Sequence, residues 1–157
     1  MVYSSLIRPN EIRNIQIKDV CISGKYVVIP CEVAKNHKQR FAALSAQSIE
    51  LLQKLDFEKY PKDYYLLGGD LQPAKEMCGA ARYRHEWDKI TIKLHIPKNM
   101  QLYSFRDTGI NEMLKSGIDN LTVMQHADHS DLSITTIYAN HADSQLINKI
   151  YENAPKF

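Results

Sequence analysis

The chain has 157 residues, 44% of them hydrophobic and 24% charged, a balance that excludes a disordered polypeptide and suffices for one domain with a real core. Its formal net charge of +2 excludes nucleic-acid binding driven by bulk charge, so any grip on phosphate must come from local clusters. The two basic candidates are Lys35-Asn36-His37-Lys38-Gln39-Arg40 and Arg82-Tyr83-Arg84-His85, each of which reads equally well as a solvated turn.

In chain order, Met1 to Leu6 opens without a clear cap. Pro9 then suits a first helical turn, where its missing N–H costs nothing, and Glu11 lies near the positive end of that turn. A short helix is predicted, carrying Ile12 and Ile15 and ending near Lys18-Asp19. Val20-Cys21-Ile22, the turn Ser23-Gly24-Lys25 and Tyr26-Val27-Val28-Ile29 read as a strand, a turn and a strand. Pro30 marks an edge or an exit. After the basic turn Lys35 to Arg40, Phe41 to Leu44 is a third strand, which completes a small antiparallel sheet with Lys35 near its tip.

Helices dominate afterwards. Ser45 caps a helix through Ile49, Leu52 and Leu55. Residues 61 to 73 form a loop with a short extended piece at Tyr64 to Leu67. Ala74 to about Leu94 is predicted as one helix, with Trp87 in the core, and Pro97-Lys98-Asn99 breaks it. Ser104 to Lys115 is a helix stopped by Ser116-Gly117, and Asp119 to about Ala127 is another. Ser133 to about Tyr138 and Asp143 to Asn153 are predicted as the last two, the final one with Leu146, Ile147 and Ile150 on one face.

No run of about 18 apolar residues exists to span a membrane as a helix. Cys21, Cys31 and Cys78 are odd in number and lack CxxC spacing, and no apolar leader precedes them. That combination predicts a reducing, cytoplasmic setting rather than a disulfide framework. The chemistry concentrates between His126 and His141, read as HADHSDLSITTIYANH, with Leu102-Tyr103-Ser104-Phe105-Arg106 upstream. A tyrosine with imidazoles and distant arginines suits attack on a phosphate. The competing reading of Tyr138 is an ordinary helix residue. A second rival is a metal site from His126, Asp128, His129 and His141.

Arg8-x-x-Glu11, Asp19-Val20 before a hairpin, Lys35 with Arg40 behind it, Tyr103-x-x-Arg106, and His129-Ser130-x-x-x-x-Thr135-Thr136-x-Tyr138 follow one another along the chain. This order and spacing resemble the catalytic domain of tyrosine recombinases, the phage-integrase family. The resemblance covers nearly the whole chain. It implies a mainly α fold with a small three-stranded antiparallel β-sheet, residues 1–157 forming a single catalytic domain. By the resemblance the chain is expected to be a fragment without the family's first helices and its N-terminal DNA-clamping domain, and to bind DNA weakly by itself.

The resemblance also assigns roles. Tyr138 becomes the nucleophile that makes a 3′-phosphotyrosine link, and Arg8 and Arg106 hold the non-bridging phosphate oxygens with their planar forks. Lys35 protonates the leaving 5′-oxygen, and His129 donates to a phosphate oxygen. Tyr103 stands where the family most often has His, and Asp128 where it usually has Gly, so Asp128 is expected to turn away from the phosphate and to orient His129 or cap the next helix. Glu11 is expected to orient its neighbours. Neither metal nor ATP nor any other cofactor is implied. The implied partners are double-stranded DNA and further copies of the chain, as a tetramer on DNA joined through the C-terminal helix. The implied setting is a mobile element, a phage or a chromosome. The alternative within this resemblance is a non-catalytic DNA-binding or regulatory descendant.

Overall fold

The computed structural model describes residues 1–129. The predicted helix at 133–138, the nucleophile candidate Tyr138, His141 and the C-terminal helix lie outside the described residues. Pro9 opens α1 (Pro9–Asn14), with its N-cap at Arg8. The helix is shorter than the spacing predicts. The chain turns out at Ile15, and Gln16 forms a bridge with Tyr65 instead, ahead of a single tight turn at Ile17–Asp19. Backbone pairing between the Ile15–Ile17 segment and the 64–66 strand-like piece takes the hydrogen bonds that a longer helix would have used.

The hairpin forms where the alternating apolar residues place it. β1 (Val20–Cys21), β2 (Tyr26–Ile29) and β3 (Arg40–Ala43) form an antiparallel sheet in the order β1-β2-β3. In its register, Val27 pairs with both Val20 and Ala42, while Arg40 stands opposite Ile29 at the hairpin's loop end. Val27, Ile29 and Ala42 face inward and are fully buried. They join Ile7, Ile12, Ile15, Ile17, Leu52, Phe57 and Leu66 in the larger of two cores. Ser45 caps α2 (Ala46–Lys54) by accepting from the Ser48 backbone N–H, which supplies one of the orphan donors of that helix end.

The helix predicted from Ala74 begins only at Arg82, as α3 (Arg82–Lys93). Ala74 exchanges backbone hydrogen bonds with Tyr65, and Cys78 N–H donates to the Leu67 carbonyl, so residues 74–78 are tied to the preceding loop. None of the α3 residues is buried, and Ile92 is 76% exposed. Trp87 is half-buried rather than core. Its ring meets Phe105 edge to face at 5.4 Å, and its indole N–H donates to the Met100 carbonyl.

α4 (Ser104–Lys115) and α5 (Asn120–Ala127) follow the sequence reading closely. Gly117, at φ 91°, ends the first in the left-handed region open to glycine, and Asp119 caps the second. Arg106, Gly109, Ile110 and Leu114 are the buried residues of α4, spaced along one helical stripe. With Leu6, Val123 and Ala127 they bound the smaller core. Leu6 enters this smaller core while its neighbour Ile7 enters the larger one. The next residue, Arg8, is thereby fixed at the seam between the two.

Gly109 permits a close approach. A Cβ there would land on the Tyr3 carbonyl oxygen and lie 2.9 Å from Leu6 Cδ2. Gly109→Ala is therefore expected to destabilise the fold by about 1–3 kcal/mol or more, as overpacking does. Urea unfolding would show a lower midpoint at unchanged slope. A midpoint equal to that of the wild type would contradict the packing described.

Candidate functional site

The seam gathers charge that would be costly to bury alone. Glu11, one turn into α1 and 2% exposed, shares its carboxylate between two arginines. One oxygen accepts from Arg8 Nη1 at 2.9 Å. The other accepts from Arg40 Nη2 at 2.7 Å and from the Arg8 backbone N–H at 2.9 Å. Arg40 reaches onward from the start of β3 to the His126 carbonyl near the end of α5, at 3.3 Å. The expectation that Glu11 orients its neighbours is met in this arrangement.

Arg106 enters from α4 and is only 1% exposed. Its Nη2 donates to the Ala127 carbonyl, closing the end of α5. Its Nη1 is buried with no hydrogen-bond partner among the described residues. An unsatisfied buried donor costs about 1–3 kcal/mol, so this one is held in place against its own solvation. Burial, and the charges of Arg8 and Arg40, push the Arg106 pKa down, against the opposing pull of Tyr103 and Glu11. Arginine remains cationic under such a shift. Tyr103, 41% exposed, puts its ring 6.0 Å from the Arg106 guanidinium carbon, within cation–π range. Tyr103 also edges a groove of about 1140 Å³ that runs between α1 and α3 past Arg13, Tyr83 and Trp87.

Asp128 departs from its expected orientation. Its side chain accepts from Arg8 Nη1 at 2.9 Å, and its carbonyl accepts from Arg8 Nη2 at 3.2 Å. Asn36, in the hairpin loop, donates to the same carboxylate at 3.1 Å. The physical reason is local. Asp128 ends α5 at φ 53°, in the left-handed conformation that glycine adopts most cheaply, and this turn aims the side chain back at the seam. Burial alone would lower the Arg8 pKa, but the bonds to Asp128 and Glu11 outweigh it and raise it.

A model of the phage integrase family matches residues 1–145. The chain belongs to the phage integrase family. The tyrosine recombinase XerC of Psychromonas ingrahamii is 27% identical over 157 residues, an alignment covering 98% of this chain and 50% of that relative. XerC of Staphylococcus haemolyticus is 28% identical, with 98% and 51% covered. The chain thus spans about half the length of the curated relatives it matches. Among solved structures, XerA recombinase superposes with a TM-score of 0.75 at 19% identity, covering 99% of this chain and 56% of that one. The Tn1549 transposon integrase in complex with transposon right-end DNA also gives 0.75, at 13% identity, with 98% and 57% covered. These likenesses bear out the expected fold, mainly α with one three-stranded antiparallel sheet.

Of the residues that the family resemblance singled out, Arg8, Arg106, Tyr103 and His129 lie at this seam of the integrase-family fold. His129 follows Asp128, its backbone N–H on the Met124 carbonyl. Lys35 is solvent-exposed in the loop between β2 and β3, next to the Asn36 that holds Asp128. Tyr138 lies outside the described residues. Arg40 is the site residue that sequence reasoning missed as such. The sequence shows it as the last member of a basic turn and as the arginine behind Lys35 in the family pattern, with no role attached, and the signal available is its place at the first position of a strand. Among the described residues, no group of three His, Cys, Asp or Glu side chains gathers to hold a metal ion. The Asp128 carboxylate of the rival metal reading is engaged by Arg8 and Asn36.

Both histidines near the seam have lowered pKa values. For His129 the causes are burial first and then Arg106 and Arg8, against Asp128 and Asp107. For His126 burial leads, with Arg40 and Arg106 adding to it and the Ser4 backbone opposing. A neutral imidazole still offers one N–H donor. Because the folded values lie below the ordinary 6.5, the unfolded chain binds these protons first as pH falls. Stability is therefore expected to be insensitive to these groups above about pH 6.5 and to decline below it, until the lowered folded values are reached. Urea unfolding between pH 5 and 7 checks this, and His126→Gln should flatten the slope. A slope unchanged by that substitution would contradict the assignment.

Proposed function

We propose that this chain is the strand-transferring portion of a site-specific DNA recombinase that cuts and rejoins duplex DNA through a 3′-phosphotyrosine intermediate. The observation that carries the proposal is the seam itself. Three guanidinium groups, two of them Arg8 and the buried Arg106, whose Nη1 has no partner among the described residues, converge beside a neutral His129. Such a cluster suits a phosphate whose charge grows in the transition state, because preorganised donors in a dry site need no rearrangement when the reaction occurs.

In this reading the Tyr138 phenol gives up its proton to solvent and its oxygen forms the new bond to phosphorus as the bond to the 5′-oxygen breaks. A phenol with an ordinary pKa near 10 is a weak nucleophile at neutral pH, so the arginines must stabilise the charge that develops. Arg8 and Arg106 hold the non-bridging oxygens, and His129 donates one hydrogen bond. Lys35, from the hairpin loop, gives a proton to the departing 5′-oxygen. Tyr103 supplies a phenolic donor and its ring face to Arg106. Double-stranded DNA is the substrate and partner. Assembly of four copies on DNA through the C-terminal segment belongs to the same proposal. The scheme needs neither metal nor ATP. A cytoplasmic setting is consistent with the described residues, in which no helix is long and apolar enough to cross a membrane.

One observation favours a second reading, the non-catalytic DNA-binding descendant. Asp128 places a carboxylate on Arg8, where the catalytic reading places a phosphate oxygen.

A pool of nicked duplexes with randomised sequence around the nick separates the two. Wild-type protein is expected to form a denaturant-resistant adduct that Tyr138→Phe abolishes and Arg106→Ala slows by about 10²–10³-fold. An adduct that survives in Tyr138→Phe would sink the nucleophile assignment. Absence of any adduct on DNA that the protein binds would establish the second reading.

A further inference from the structure

We propose that Arg40 is a positioning residue for strand cleavage, acting through Glu11 on Arg8 and through the His126 carbonyl on the end of α5. The inference rests on the strand-transfer reading above and adds to it a residue with no assigned role. Arg40 touches three elements at once. It begins β3, the strand that leaves the Lys35 loop. Its Nη2 fixes the Glu11 oxygen that Arg8 Nη1 does not use, at 2.7 Å, and its Nη1 holds the His126 carbonyl at 3.3 Å. His126 lies three residues before His129. The side chain of Arg40 is about one-tenth exposed, with its Nε buried and unpartnered among the described residues. A residue so enclosed does not present its charge to a DNA backbone.

The division of the Glu11 carboxylate is the working part. With one oxygen committed to Arg40 and to the Arg8 backbone, the Arg8 side chain receives a single oxygen, through Nη1. Removal of Arg40 leaves the second oxygen held by the Arg8 backbone N–H alone, so the carboxylate loses its fixed orientation toward the Arg8 side chain. The guanidinium would then turn from the direction in which it meets a phosphate. Lysine cannot reproduce the arrangement, since its compact ammonium lacks the planar fork that spans a carboxylate and a carbonyl together.

The test uses the DNA site recovered from the randomised pool and the protein with all its residues. Adduct formation is measured at saturating DNA, per folded molecule, alongside the DNA dissociation constant. Arg40→Met is expected to slow the saturated rate roughly 10- to 100-fold, the scale of a small misplacement at a reacting centre, with the dissociation constant changed less than about threefold. Arg40→Lys, which keeps the charge and one bond, should recover part of the rate. Glu11→Gln should slow the reaction too, and the double variant should lose less than the product of the two single losses, because the two residues share the Glu11 carboxylate. Weakened DNA binding with an unchanged saturated rate would overturn the proposal, making Arg40 a backbone contact. Multiplicative losses in the double variant would overturn it as well, as would a loss that vanishes on correction for the folded fraction. If wild-type protein forms no adduct, the strand-transfer reading falls and takes this inference with it. A wild-type adduct with Arg40→Met unaffected removes this inference alone.

Discussion

The Glu11 carboxylate, nearly sealed from solvent and divided between Arg8 and Arg40, is the interaction on which the rest of the seam depends. A buried charge is tolerated only when paired and hydrogen-bonded, and loss of one partner from such a pair costs about 3–5 kcal/mol. Among the described residues, the guanidinium groups of Arg8, Arg40 and Arg106 gather around the Glu11 and Asp128 carboxylates, with Asp107 also acting on His129. A fully paired network would bind its own members and nothing else, whereas this one leaves a buried Arg106 nitrogen without a protein partner among the described residues.

The fold serves this arrangement through two cores rather than one. Leu6 and Ile7 insert into different clusters, and the short α1 caps the junction with Arg8. Arg106 shares α4 with Ile110 and Leu114 of the smaller core, to which the end of α5 also belongs, while Arg40 belongs to the sheet of the larger one. The charged residues therefore join two bodies of apolar packing, and a shift between those bodies would be felt as a change in guanidinium geometry. Asp128 adds a further tie, from Arg8 to Asn36 beside Lys35. Where the family usually has glycine, this chain places an acid in the left-handed turn, and its carboxylate competes for the arginine that a phosphate would meet.

Much of this was legible in the residues, for identifiable reasons. The hairpin, the Ser45 cap, the helix start at Asp119 and the stop at Gly117 depend on local backbone chemistry, and the sequence reading of each lies close to its observed place. Order and spacing single out Arg8, Tyr103, Arg106 and His129, which the fold brings to one seam, and Lys35, which it leaves exposed in the hairpin loop. Ala74–Ala81 was misread as helix because its apolar spacing hid the backbone pairing with Tyr65 and Leu67, which is a tertiary matter. Trp87 was misread as core because α3 buries none of its residues against the described part of the fold. The role of Arg40 depends on Glu11, twenty-nine residues away, and on His126, eighty-six away, and no local pattern encodes such partners. Asp128 was read as turning away from the phosphate site, an expectation based on charge alone. The positive φ at the end of α5 decided its direction instead.

The most direct measurement of the central claim is the guanidinium NMR signal of each seam arginine, recorded with and without the bound DNA duplex. If the seam is the phosphate site, the Arg8 and Arg106 signals move on binding, Arg8 as its Asp128 bond is exchanged for a phosphate and Arg106 as the nitrogen with no partner among the described residues gains a phosphate oxygen. The Arg40 signal stays with Glu11. Unmoved Arg8 and Arg106 signals, with the shifts confined to Arg82 and Arg84 on α3, would place the phosphate elsewhere and contradict the account.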